Sequence, residues 1–151
     1  MNETHFKNFI VQILRRGTYK WKAKYVALER TKIKVYPKNK DGSVSKKYQV
    51  FWECELTGAI CASKEKVVDH INPVVPLDWA EDYWDWKVVI ENMYCSEDNL
   101  QVISKKAHKA KTNIENQVRR EFKKGLISKE DIPALIKINL EKELSKLKEK
   151  K

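Results

Sequence analysis

Two of the three histidines in this 151-residue chain stand in a pattern that could do chemistry. His70 follows Asp69 at the end of the run Val67-Val68-Asp69-His70-Ile71, and His108 comes thirty-eight positions later on a segment with helical spacing. Asn99 lies between them. A carboxylate and a neutral imidazole, with positions left open for water, suit Mg²⁺, Mn²⁺ or a similar divalent cation better than a closed zinc site. Adjacent residues of an extended strand point to opposite faces, so one of the Asp69-His70 pair could bind a metal while the other meets a water. Phosphodiester cleavage needs a base to activate water and a cation to stabilise the leaving oxygen, and this set offers both. Singly, each residue has a plainer reading: a surface or hydrogen-bonded histidine, a chance dipeptide, an asparagine at a turn or strand entry. The triple on strand, strand and helix is what points to an enzyme.

The charge distribution agrees with a polyanionic partner. The net charge is +10 and the isoelectric point near 9.4, and neutralising phosphates is favoured by counterion release. Residues 11–50 carry twelve Lys or Arg against two acids, residues 51–103 three against eleven, and residues 104–151 fifteen against seven. Basic ends around an acidic centre suit a chain that grips a backbone and holds a cation in its middle, although solvated helix faces would give the same counts. Three cysteines, Cys54, Cys61 and Cys95, are too few and too irregular for a disulfide framework. No apolar run approaches the length of a membrane span, and the N-terminus lacks the apolar core of a signal peptide. A soluble protein of the cytoplasm, with no membrane partner, is expected.

The elements that must position these residues can be read in order. Phe6, Phe9, Ile10, Ile13 and Leu14 fall on one helical face, with Gly17 where that helix would stop. Arg15, Arg16, Lys20, Lys22 and Lys24 follow among Tyr19, Trp21 and Tyr25, leading into a second helix near 23–31. Those cations could lie along a phosphate backbone, with the rings either beside them or serving as core anchors. A loop is expected over 37–45, then a hairpin from Tyr48, Val50, Phe51 and Trp52 through Thr57-Gly58 to a return strand over 59–62. Residues 66–71 read as a strand and 99–103 as another. Between them, Trp79, Tyr83, Trp86 and Ile90 form a helical stripe over 78–90 that leaves Trp84 outside it. Ser104 could cap a helix reaching about Lys124, with Gly125 at its end. Ser128 and Asp131 precede a last amphipathic helix whose apolar face is Ile136, Leu140, Leu144 and Leu147. That face could pack on the body, pair with a second copy or another protein, or fray into a basic tail.

Val67-Val68-Asp69-His70-Ile71-Asn72-Pro73-Val74, Asn99-Leu100-Gln101-Val102 and Ala107-His108-Lys109-Ala110-Lys111-Thr112 together resemble the motif of the HNH endonucleases, particularly the small phage-encoded members. Ile13-Leu14-Arg15-Arg16, Ala27-Leu28-Glu29-Arg30 and the segment from Cys54 to Gly58 resemble what precedes that motif, so the likeness spans about residues 13–116. It implies an α+β fold built on a ββα-metal (His-Me finger) core with flanking N- and C-terminal helices. It also implies metal ligands at Asp69 and His108, a general base at His70, an orienting residue at Asn99, and 5′-phosphate and 3′-hydroxyl products. Thr112 stands where some members supply a further ligand.

Many HNH proteins carry two Cys-x-x-Cys pairs around a structural zinc. Here those positions are Cys54 with Thr57 and Ser104 with Ala107, so no structural zinc is expected, and rigidity should come from packing of Trp52, Trp79, Tyr83 and Trp86. The implied organisation is one nuclease domain over 1–125, with a basic helical N-terminal part, and a basic amphipathic helix or tail over 126–151. The implied cofactor is one divalent cation, Mg²⁺, or Mn²⁺ or Ni²⁺ in vitro. The implied partner is DNA, contacted by Arg15, Arg16, Lys20, Lys22, Lys24, Lys105, Lys109 and Lys111, in the host bacterial cytoplasm if the chain is phage-encoded. The competing expectation is a non-catalytic basic DNA-binding or genome-packaging-associated module that keeps the fold.

Overall fold

A computed structural model describes residues 2–80 and 82–149. The fold is α+β, with five α-helices and two small antiparallel sheets among the described residues. Helix α1 spans Glu3–Gly17, begins on an Asn2 cap whose side chain accepts from the His5 amide, and buries Val11. Its last residue must be small, because the Tyr94 hydroxyl, which donates to Leu14 O at 2.7 Å, would collide with a Cβ at Gly17. A 3₁₀ turn over Thr18–Lys20 leads to α2, Lys22–Arg30, which buries Ala23 and Ala27.

Strands β1 (Lys32–Val35), β2 (Gln49–Glu53) and β3 (Ile60–Cys61) form the first sheet in that order. The expected hairpin is β2 and β3. Strand β1, which pairs Lys32 with Trp52 and Val35 with Gln49, was not expected from its alternation of lysines with Ile33 and Val35. The second sheet pairs β4 (Lys66–His70) with β5 (Leu100–Ser104), Asp69 standing opposite Gln101 and His70 opposite Leu100.

Between β4 and β5 the expected long helix is not formed. Helix α3 spans only Trp86–Met93, because Asp85 takes an extended backbone and its side chain accepts from the Lys87 and Val88 amides. The preceding loop folds on its own rings instead. Trp79 meets Tyr83 and Trp84 edge to face at centroid distances of 5.1 and 5.6 Å, and Trp84 meets Trp86 at 5.3 Å. Trp84, left off the helical stripe, therefore belongs to the same apolar cluster as Trp79 and Trp86, whereas Tyr83 is exposed rather than a packing anchor.

Helix α4, Lys105–Lys123, follows β5 without a loop, its first turn capped by Ser104, whose hydroxyl accepts from the Ala107 amide at 3.1 Å. It ends at Gly125, whose φ of 68° is the left-handed conformation that suits a residue without a Cβ. Before α5, Ile132–Glu149, Ser128 donates to the Asp131 carboxylate from both its amide and its hydroxyl. The apolar face of α5 is spent within the chain. Leu140, Leu144 and Leu147 pack with Cys54, Cys61, Ile103 and Ala107, while Leu135 and Ile136 pack with Leu77, Ile114 and Val118. Of the fates left open for this face, packing on the body is the one observed, and residues of α5 form one wall of the core. Among the described residues, no helix is long and apolar enough to cross a membrane.

Candidate active site

The β4–β5 pair and α4 bring the carboxylate and one imidazole together. Asp69 projects from β4 toward α4, and its Oδ1 lies 3.6 Å from His108 Nε2. Its Oδ2 is 3.1 Å from Lys111 Nζ and 3.4 Å from the side-chain amide of Gln101, its cross-strand neighbour. Lys111 is the most enclosed of the group, with its side chain 6 % exposed; it also pairs with Glu115 one turn on and donates to His70 O at 2.8 Å. This lysine is not a surface phosphate contact, as the sequence reading had it, but the centre of an ion network that holds Asp69. Burial pushes the Glu115 carboxyl above its usual range, and the Lys111 ammonium opposes that shift.

His70, at the end of the same strand, projects the other way. Its Nε2 lies 3.2 Å from the carbonyl oxygen of Met93, the last residue of α3. A carbonyl only accepts, so Nε2 carries the proton and Nδ1 keeps its lone pair. Burial lowers the pKa of this imidazole, against the Met93 carbonyl and Asp69, which raise it; the ring is neutral near pH 7. Asp69, His70, His108 and Thr112 nevertheless all line one groove of about 1380 Å³.

Asn99 hydrogen-bonds to the backbone after His70 and not to its ring. Its backbone carbonyl accepts from the Ile71 amide at 2.9 Å, its Oδ1 accepts from the Asn72 amide at 2.9 Å, and its Nδ2 donates to Asn72 O. It clamps the two residues that follow His70, so any orienting role runs through the backbone. Farther back, Arg30 on α2 grips Glu55 with two nitrogens and donates to Leu100 O at 2.8 Å, while Glu55 accepts from the Val102 amide. That network fixes α2 against β5.

The expected DNA contacts divide. Arg15, Arg16, Lys24 and the buried Lys111 line the groove, whereas Lys20, Lys22, Lys105 and Lys109 are exposed and not part of its lining. Lys24 is drawn inward, donating to the Thr18 hydroxyl at 2.7 Å, and burial lowers its pKa. The groove also recruits Lys7, Arg119 and Lys123, which sequence reasoning missed. Residues 108, 112, 115, 119 and 123 recur at helical spacing, so extending one face of α4 from His108 would have found Glu115, Arg119 and Lys123. Gln101 had no such signal, because its place beside Asp69 depends on the β4–β5 register.

The four positions that the HNH resemblance aligns with zinc-binding cysteines also come together. Cys54 Sγ accepts from the Ser104 amide at 3.3 Å, the Thr57 amide donates to Cys54 O, and Ala107 shares an apolar cluster with Cys54. Three of the four lack a ligating group of the kind zinc prefers, so this set does not fit a zinc site. Compared with protein-family models, with curated proteins and with solved structures, the chain matches none.

Proposed function

We propose that this protein is a metal-dependent endonuclease of the HNH type, hydrolysing DNA phosphodiester bonds on a ββα-metal core formed by β4, β5 and α4. The observation that carries the reading is the state of His70. A buried, neutral imidazole with its Nε2 proton given to Met93 O presents an unprotonated Nδ1, the form a general base must take to deprotonate water. Asp69 and His108 would hold the divalent cation. Two donors bonded to one ion at about 2.1 Å stand roughly 3.0–3.6 Å apart, and the 3.6 Å between Asp69 Oδ1 and His108 Nε2 fits that bite. Such a cation, when bound, supplies a Lewis acid that stabilises the charge developing on the leaving 3′-oxygen. The chain's own residues do the rest: Lys111 and Gln101 hold Asp69 in place, Asn99 clamps the backbone after His70, and groove cations receive the phosphates. The convergence of Cys54, Thr57, Ser104 and Ala107 at the base of β5 and α4 supports the same reading, since the resemblance names those four positions together.

One observation favours the second reading, a DNA-binding module without catalysis: the Lys111 ammonium already neutralises Asp69 at 3.1 Å. Plasmid cleavage with Mg²⁺ or Mn²⁺ separates the two. Cleavage that needs the metal and is lost in His70→Ala supports the nuclease; equal cleavage by both proteins, or none by either, counts against it.

A further inference from the structure

The candidate groove runs along α1. Lys7, Val11, Arg15 and Thr18 all line it, and at 1.5 Å per residue Lys7 and Thr18 stand about 16 Å apart along the helix. Near the first end Lys7 Nζ sits 5.4 Å from the Trp84 ring, beside Trp79 and Tyr83; beyond the second end lie Tyr19 and Tyr25. Three of these rings face solvent: Tyr19 is 80 % exposed, Tyr25 55 % and Tyr83 52 %.

Tyr83 packs an edge against Trp79, yet each of the three residues is more than half exposed. Tyr25 OH donates to Tyr19 O, which fixes the 3₁₀ turn through its backbone and leaves the Tyr19 ring outside any core cluster. Lys24 Nζ stands 6.0 Å from the Tyr19 centroid, so a cation accompanies that ring as Lys7 accompanies Trp84. Lys111 stands between the two acids of the groove, Asp69 and Glu115, and offsets one of them, while Arg15, Arg16, Lys24, Arg119 and Lys123 outnumber them along the lining and Lys7, paired to Glu3 at 2.6 Å, stands at one end. A basic track with exposed rings along it matches a nucleic-acid strand whose bases are free to stack. A paired duplex buries its base faces and offers these rings nothing but edges and backbone.

We propose that the groove binds DNA as an unpaired strand, its bases stacking on Tyr19, Tyr25 and Tyr83 while its phosphates meet the α1 and α4 cations. The inference rests on the nuclease reading and narrows its substrate. Sixteen ångströms along α1 covers about five phosphate spacings of a stacked strand, at 3.4 Å each.

The test is fluorescence anisotropy of the full chain in EDTA, with a labelled twelve-nucleotide single strand and with the duplex of the same sequence, at one salt concentration. The single strand should bind at least tenfold tighter. Tyr19→Ala and Tyr83→Ala should each weaken it by about 5- to 150-fold, as loss of a stacked base does, with duplex binding unchanged within about twofold. Tyr19→Phe should bind as the wild type, which shows that the ring and not the fold was lost. Duplex binding as tight as single-strand binding, or alanine variants that hold the single strand normally, would overturn the stacking proposal. Either result leaves the nuclease reading intact if, with Mg²⁺ or Mn²⁺ added, the chain cuts the plasmid or the labelled single strand, and that reading fails separately if it cuts neither.

Discussion

Replacing Lys111 with methionine keeps an unbranched apolar stem and removes the charge that three acceptors share. Asp69 and Glu115 would then face each other as carboxylates whose side chains are only 17 % and 14 % exposed. At an effective dielectric constant near 20, the 3.1 Å Lys111–Asp69 contact alone corresponds to about 5 kcal/mol of Coulomb energy. Part of that is offset by the desolvation of the ammonium, which the methionine no longer suffers. Breaking a buried pair from one side typically costs about 3–5 kcal/mol, and that is the loss expected for Lys111→Met in urea unfolding followed by circular dichroism. For a chain of this size the thermal midpoint should fall by roughly 6–20 °C. The deficit relative to wild type should shrink in acid. A carboxyl whose folded-state pKa lies above its unfolded value, as burial makes Glu115, contributes most stability when protonated and loses it as pH rises through the folded value. Removing Lys111 enlarges that upward shift, so the variant should suffer most above the carboxylate range. Adding Glu115→Gln should recover part of the loss. A change below about 1 kcal/mol at neutral pH, the scale of an exposed ion pair, would refute the claim that this network is buried and holds Asp69.

The other expectations concern the core and the base. Leu144→Ala should cost about 2–5 kcal/mol, because Leu144 of α5 is 8 % exposed among Cys54, Cys61, Ile103 and Ala107; a loss under 1 kcal/mol in the same denaturation assay would mean that α5 is not docked. Cleavage rate should rise with pH to a plateau whose apparent pKa lies below 6.5, since only neutral His70 accepts a proton and its pKa is lowered. Stability gains from the same group as pH rises through the interval between that lowered value and 6.5, where the unfolded chain holds a proton that the folded one does not. In His70→Ala the unfolding free energy should lose that part of its pH dependence; an unaltered profile would mean that the ring is solvated.

Much of the fold was legible because its signals are local. The spacing of Phe6, Phe9, Ile10, Ile13 and Leu14, the cap at Ser104 and the left-handed Gly125 each act within a turn or two, and α1, α4 and the β4–β5 strands fall where expected; the buried face of α1 does not, since Val11 is buried while Phe6, Phe9 and Ile13 are exposed. The misses come from longer range. Trp79 and Tyr83 have the spacing of a helix, but Asp85 starts α3 after them and the rings stack on one another instead. Strand β1 exists because β2 pairs with it, and nothing in Lys32–Val35 alone forces that. Within the site, Asp69 and His108 were visible as chemistry. Lys111 was read by its charge as a surface contact, because its burial depends on where Asp69 and Glu115 sit. Asn99 was expected to orient His70, and it hydrogen-bonds to Ile71 and Asn72, the two residues that follow His70.

The central claim is that the free nitrogen of His70 deprotonates the attacking water, and chemical rescue tests it most directly. His70→Gly leaves a space the size of the ring and removes the base. In the presence of Mg²⁺ or Mn²⁺ this variant should leave plasmid uncut, and added imidazole should restore cleavage in proportion to its unprotonated fraction. Cleavage by His70→Gly at the wild-type rate without imidazole would contradict the account.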